Sequence, residues 1–169
     1  IMKERKIIKE TISSINVKIT PLVSDVLLKK LPKTGLEGKF SLEFCVALSI
    51  VGKGASLDNF MDKEIRRPEI LKLMRKVSID IDKELSKRGE MASQVSIRNM
   101  NGDEFIKEVR VAKGSPKIPP TKKELEDKFY GCIQNSLNKS DSKKILKMIR
   151  EIEELNNICE LTNIIHKVN

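Results

Sequence analysis

The chain has no tryptophan, a single tyrosine and five phenylalanines among its 169 residues. A core built around large rings is excluded, so packing must come from Ile, Leu, Val and Met. Base-stacking RNA recognition needs aromatic platforms, and these are nearly absent. Long apolar runs are missing too. No stretch approaches the roughly 20 residues that cross a bilayer, so no membrane contact is expected. The opening IMKERKIIKE is basic but has no apolar h-region and no small-residue cleavage site, which excludes a secretory signal there. Because Ile1 is no natural initiator, the chain reads as a piece of a longer one.

Histidine is reduced to His166, near the end. The three cysteines, Cys45, Cys132 and Cys159, are odd in number and widely spaced, with no CxxC pair. A metal site of four clustered N, S or O ligands is therefore not expected. The thiols read as reduced and mostly buried, in a cytoplasmic protein. There is no GxSxG elbow, P-loop, dinucleotide fingerprint or HExxH helix.

What the chain does have is charge: 33 Lys and Arg against 24 Asp and Glu, a net +9. The cations run along the whole sequence, interleaved with acids, as on solvated helix faces. No nucleic-acid partner is expected from this pattern. The alternative reading is a stand-alone basic α+β module that binds a protein or nucleic acid, with its own start near Met2.

Periodicity outlines an α+β domain across 1–169. Residues 3–13 read as a helix or as the run-in to a strand. Ile15, Val17 and Ile19 alternate with polar residues, a half-buried strand over 15–20 closed by Pro21. Ser24 or Asp25 is expected to cap a short helix through VLLKKL. Pro32 to Gly38 reads as a loop, and 39–51 as a buried helix ended by Gly52-Lys53-Gly54. Arg67-Pro68 opens another helix, with Ile70, Leu71, Leu73 and Met74 as its apolar face. Val77, Ile79 and Ile81 mark a strand, on which Asp80 and Asp82 share a solvated face. Two more strands follow, near 92–98 and 104–111, joined at Asn101-Gly102-Asp103. After the proline-rich KGSPKIPPT, Thr121 and Glu124 form a capping box. The rest is helical, restarting at Asp141 or Ser142 and ending with a helix near 157–167. The expectation is an antiparallel or mixed four-stranded sheet covered by helices.

The densest polar cluster is Lys33-Thr34-Gly35-Leu36-Glu37-Gly38-Lys39-Phe40-Ser41. Its glycines permit close backbone approach. Lys39 and Ser41 stand where a buried helix begins, and a helix start favours anions. The segment reads equally as a carboxylate site or as a flexible loop.

The run PKTGLEGKFSLEFCVALSIVGKG, residues 32–54, resembles the C-terminal domain of the MmgE/PrpD family, whose members share a TGxEaKFSxxYxxA-like segment. DNFMDKEIRRPEILKLMRKVSI (58–79) and NGDEFIKEVRVAKGSPKIPPTKKELEDKF (101–129) resemble later family segments, in order. The family includes 2-methylcitrate dehydratases, cis-aconitate decarboxylases and an iminodisuccinate epimerase. The resemblance implies the C-terminal lid domain of a two-domain, homodimeric enzyme that uses no cofactor. Its chemistry begins with proton transfer next to an activated carbon of a small di- or tricarboxylate, giving lyase or isomerase activity. An N-terminal helical domain, absent from this chain, would carry most acid–base groups. No catalytic residue is therefore assigned here, and the isolated chain is expected to be inactive. The matching segment suggests Thr34, Gly35, Lys39, Ser41 and Phe44 as substrate-binding, with Lys39 meeting substrate charge and Ser41 donating a hydrogen bond. Phe44 stands where the decarboxylase branch has a tyrosine, so that branch's chemistry is not expected.

Overall fold

The alternation of Ile15, Val17 and Ile19 builds the central strand β1, Ile12–Ile19, in which these side chains and Ile12 are buried. The structure, a computed structural model, describes residues 1–27, 31–52, 54 and 56–166. Residues 9–11 form one 3-10 turn ahead of β1, so the segment that could have been a helix is the run-in. Ser13 bulges between the Ile12–Asn99 and Ser14–Arg98 pairs, and its hydroxyl donates to the carbonyls of Arg98 and Asn99.

Pro21 does more than end the strand. It opens helix α1, Pro21–Val26, because Thr20 accepts the Val23 N–H while its own hydroxyl donates to Glu90 O at 2.7 Å. The expected start at Ser24 or Asp25 is thus corrected: both lie inside the helix. Leu28, Lys29 and Lys30 of the expected VLLKKL helix lie outside the described residues. The expected loop contains one helical turn, α2, Gly35–Gly38. The buried helix is α3, Leu42–Ile50, shorter than expected because Ser41 caps it. Phe44, Ala47, Leu48 and Ile50 are buried, whereas Phe40 is 51% exposed, which corrects its place on the buried face. Gly52, with φ +78°, supports the turn that stops α3. Lys53 lies outside the described residues.

A 3-10 turn at Leu57–Asn59 leads into α4, Asp62–Ile65, and α5, Pro68–Met74. Ile70, Leu73 and Met74 of α5 are buried. Strand β2, Val77–Ile81, pairs parallel with β1; β3, Ser93–Asn99, and β4, Glu104–Val109, complete a mixed sheet of order β2-β1-β3-β4. The β3–β4 hairpin turns at Gly102, φ +91°, with the Asn99 side chain accepting from the N–H groups of Asn101 and Asp103. Helices α3 and α5 carry the apolar side chains that join Ile12, Ile15, Val17, Ile19 and Ile97 in the core. Each fully buried side chain of this kind contributes about 1.5–3 kcal/mol.

The span 1–169 is built as two compact units, Ile1–Pro119 and Pro120–Asn169. In the second, α6, Lys122–Ile133, begins at the Thr121–Glu124 capping box. Helix α7, Lys139–Arg150, starts earlier than Asp141 or Ser142, because Asn138 accepts the Asp141 N–H at 2.9 Å. With α8, Cys159–His166, it forms a small core of Ile145, Met148, Leu161 and Ile164. Cys132 and Cys159 are exposed, against the expectation of mostly buried thiols.

Candidate functional site

The segment 32–44 is folded by its own polar side chains. Thr34 caps α2, accepting the Glu37 N–H at 3.2 Å, and the Glu37 carboxylate accepts the Lys33 N–H at 2.6 Å. Gly35 and Gly38 stand three apart on one face of that turn, as neighbours on a helix surface must. The face lies on the chain leading into α4. A Cβ on Gly35 would meet the Phe60 carbonyl carbon at 2.6 Å, and one on Gly38 would meet Ile65 Cδ1 at 2.7 Å. Neither glycine has a positive φ, so both serve close approach rather than backbone freedom.

The Gly35 N–H, a donor suited to a bound carboxylate, already holds one: it donates to Asp62 Oδ1 at 2.7 Å. The start of α3 is similarly occupied. Ser41 is 1% exposed, accepts the Phe44 N–H at 3.3 Å and donates to Glu43 Oε2 at 3.1 Å. Phe44 is fully buried and meets the Phe60 ring edge to face, centroids 5.9 Å apart. Lys39 differs from all of these. It is exposed between α2 and α3, and its ammonium makes no ion pair with the described residues. Of the five residues, then, Thr34 and Ser41 are caps, Gly35 is a contact point, Phe44 is core and Lys39 is an exposed cation.

Other candidates stand apart. Asp80 accepts from Asn16 at 2.8 Å, and Asp82 caps the 3-10 turn at Lys83–Lys87. His166 is exposed on the last turn of α8. Burial pushes the Cys45 thiol up, with Glu43 adding to it, which disfavours the reactive thiolate. Its Sγ faces Gly38 O at 3.6 Å. Among the described residues no group of three or more His, Cys, Asp or Glu could hold a metal, and no helix is long and apolar enough to cross a membrane.

Two features escaped sequence reading. Asp62 was one acid among many, and only the tertiary contact reveals it as the partner of Gly35. A cavity of about 620 Å³ opens between the first residues, α3 and the β3–β4 face, lined by Met2, Leu42, Val46, Val95 and Ile97. The Glu4–Lys107 ion pair stands among its lining residues. Its lining is mostly aliphatic, which suits an apolar group better than a tricarboxylate.

Comparison with known proteins agrees with this architecture. The MmgE/PrpD C-terminal domain matches residues 1–154, across both units. Human cis-aconitate decarboxylase is 20% identical over 135 residues, which cover 79% of this chain and 28% of that protein.

Proposed function

The chain belongs to the MmgE/PrpD family, as its C-terminal domain, and on that premise we propose that it forms one part of a cofactor-free enzyme acting on a small di- or tricarboxylate. The reaction begins with proton abstraction, in a lyase or an epimerase. The acid–base groups belong to a separate helical domain, and the working assembly is a homodimer. The match over residues 1–154 carries this reading.

The segment 32–44 supports a division of labour within it. The Gly35 and Lys33 N–H groups and the Ser41 hydroxyl are taken by Asp62, Glu37 and Glu43, which fix the two short helices. Lys39 alone of the five keeps a free charge and the reach of a four-carbon stem. It meets a substrate carboxylate, while Thr34, Gly35, Ser41 and Phe44 hold it in place.

The test uses the full-length protein with 2-methylcitrate, cis-aconitate and related acids. Losing a charge-assisted hydrogen bond costs about 1.5–3 kcal/mol, so Lys39→Ala should lower kcat/KM about tenfold to hundredfold. Its melting temperature should not change. The 169-residue chain alone should turn over none of the acids. Wild-type kinetics in Lys39→Ala would remove the site, and turnover by the isolated chain would remove the division of labour.

A further inference from the structure

A second polar region lies within residues 1–119, away from the 32–44 segment in sequence. The loop 86–91 and the segment 110–117 line an open cavity of about 610 Å³. Gly89 brings them together, since a Cβ there would meet Arg110 O at 2.5 Å. The far wall is a tight turn: Gly114, φ +94°, donates to Ile118 O at 2.8 Å, and Ile118 donates to Ser115 O at 3.0 Å.

The lining carries four cations, Lys87, Arg88, Arg110 and Lys117, against one acid, Glu90. Lys87 is paired outward with Glu84 at 2.6 Å. Arg88 and Arg110 share a single carboxylate, that of Glu108, which Arg110 Nε meets at 2.8 Å. Two guanidiniums on one carboxylate leave an uncompensated positive charge, and their only acceptor among the described residues is Glu108. Lys117 makes no ion pair with the described residues, so its charge is also open.

Ser115 adds an independent observation. Its hydroxyl is buried at the cavity wall and has no hydrogen-bond partner, the one such side-chain atom among the described residues. A buried hydroxyl without an acceptor is destabilising, and a real protein keeps few of them. Ser115 lines the cavity, so for an anion oxygen there to satisfy the hydroxyl it would turn about χ1 between staggered wells.

We propose that this cavity binds a small polyanion with at least two negative charges, held by Arg88, Arg110 and Lys117 and by the Ser115 hydroxyl. Guanidinium forks match carboxylate and phosphate oxygens alike, so the shared chemistry is a compact array of anionic oxygens. It is separate from the carboxylate subsite at Lys39.

The test is thermal unfolding and calorimetric titration of the 169-residue chain with inorganic phosphate and with citrate. Sodium chloride at matched ionic strength is the control. Stabilisation by either anion beyond the control is expected; a response to phosphate alone identifies a phosphoryl ligand, and a response to citrate alone a polycarboxylate. Lys117→Glu reverses an exposed charge, and Arg110→Gln removes a fork. Each should weaken binding about tenfold to hundredfold. Ser115→Ala gives the sharper readout, because it should leave the free protein as stable or more stable while weakening binding. Stabilisation that only follows ionic strength, or equal binding by wild type, Lys117→Glu and Ser115→Ala, would overturn the proposal.

Discussion

Gly35→Ala is the smallest change that tests how the site segment is built. The added methyl would press into the Phe60 carbonyl, 2.6 Å from its carbon and 3.0 Å from the Met61 carbonyl carbon. Both are backbone atoms, so no side chain can rotate away, and α2 must lift off the start of α4. Overpacking of this kind costs about 1–3 kcal/mol. Lifting α2 also stretches the 2.7 Å bond from the Gly35 N–H to Asp62, and a bond to a charged group is worth about 1.5–3 kcal/mol. Relaxation shares these costs, so a loss of about 2–4 kcal/mol is expected. The assay is urea unfolding of the 169-residue chain followed by circular dichroism. With a urea slope of about 2 kcal/mol per molar, the middle of the usual range, the midpoint should fall by about 1–2 M. Gly131→Ala is the matched control. It lies inside α6, nothing would lie within 4 Å of its Cβ, and alanine favours the helix by about 1 kcal/mol. Equal midpoints for wild type and Gly35→Ala would refute the claim that Gly35 exists for contact.

Phe44→Ala should cost about 3–5 kcal/mol, since the ring is fully buried against Phe60; a melting temperature near wild type would mean that Phe44 faces a cleft instead. Thr121→Ala removes one half of the capping box at α6 and should destabilise the second unit by about 0.5–2 kcal/mol, read by circular dichroism of the chain. Acid should weaken the first unit through Glu108, whose carboxyl is held below the usual range by the Arg110 hydrogen bond, with Arg88 assisting and partial burial opposing. A depressed carboxyl contributes its stability above the unfolded value and loses it as pH falls through the folded one. Glu108→Gln should therefore flatten the acid limb of a stability-against-pH curve below the ordinary glutamate range, and an unchanged limb would contradict the assignment.

The central strand was readable because period-two alternation announces it: Ile15, Val17 and Ile19 are buried as that pattern requires. The hairpin turn and the Thr121–Glu124 box were readable because their chemistry is local. Helix starts were less so. Thr20 caps α1 and Asn138 caps α7, while neighbouring Ser and Asp residues offered equally good caps on paper. What decides between them is how the chain enters the helix, which is tertiary. Phe40 shows the same limit. It stands in a nearly continuous apolar run whose direction changes at Ser41, so counting apolar residues could not separate it from buried Phe44. At the candidate site, the residues that matter chemically are visible in sequence, but their roles are not. Thr34, Ser41 and Lys39 look alike as polar residues of one motif, and only their partners distinguish a cap from a free cation.

The charge pattern connects these points. Helix starts in this chain are met by its own acids: Asp62 on the Gly35 N–H, Glu43 in the first turn of α3, Glu124 at α6 and Asp141 at α7. Each places negative charge where the helix dipole favours it. Backbone donors there are taken up within the chain, by Asp62 at Gly35, by the Ser41 hydroxyl at Phe44, by Glu124 at Thr121 and by Asn138 at Asp141. The acids used in this way leave cations such as Lys39 and Lys117 without ion pairs among the described residues, part of the net +9. At Lys39 a small anionic molecule would thus be met by a long side chain whose rotamers are fixed only on binding, at an entropic cost. Binding of that kind is weak until other groups orient the ligand, the part that the proposed function gives to a second domain. Supplying charge without orientation is what the proposed function asks of this chain.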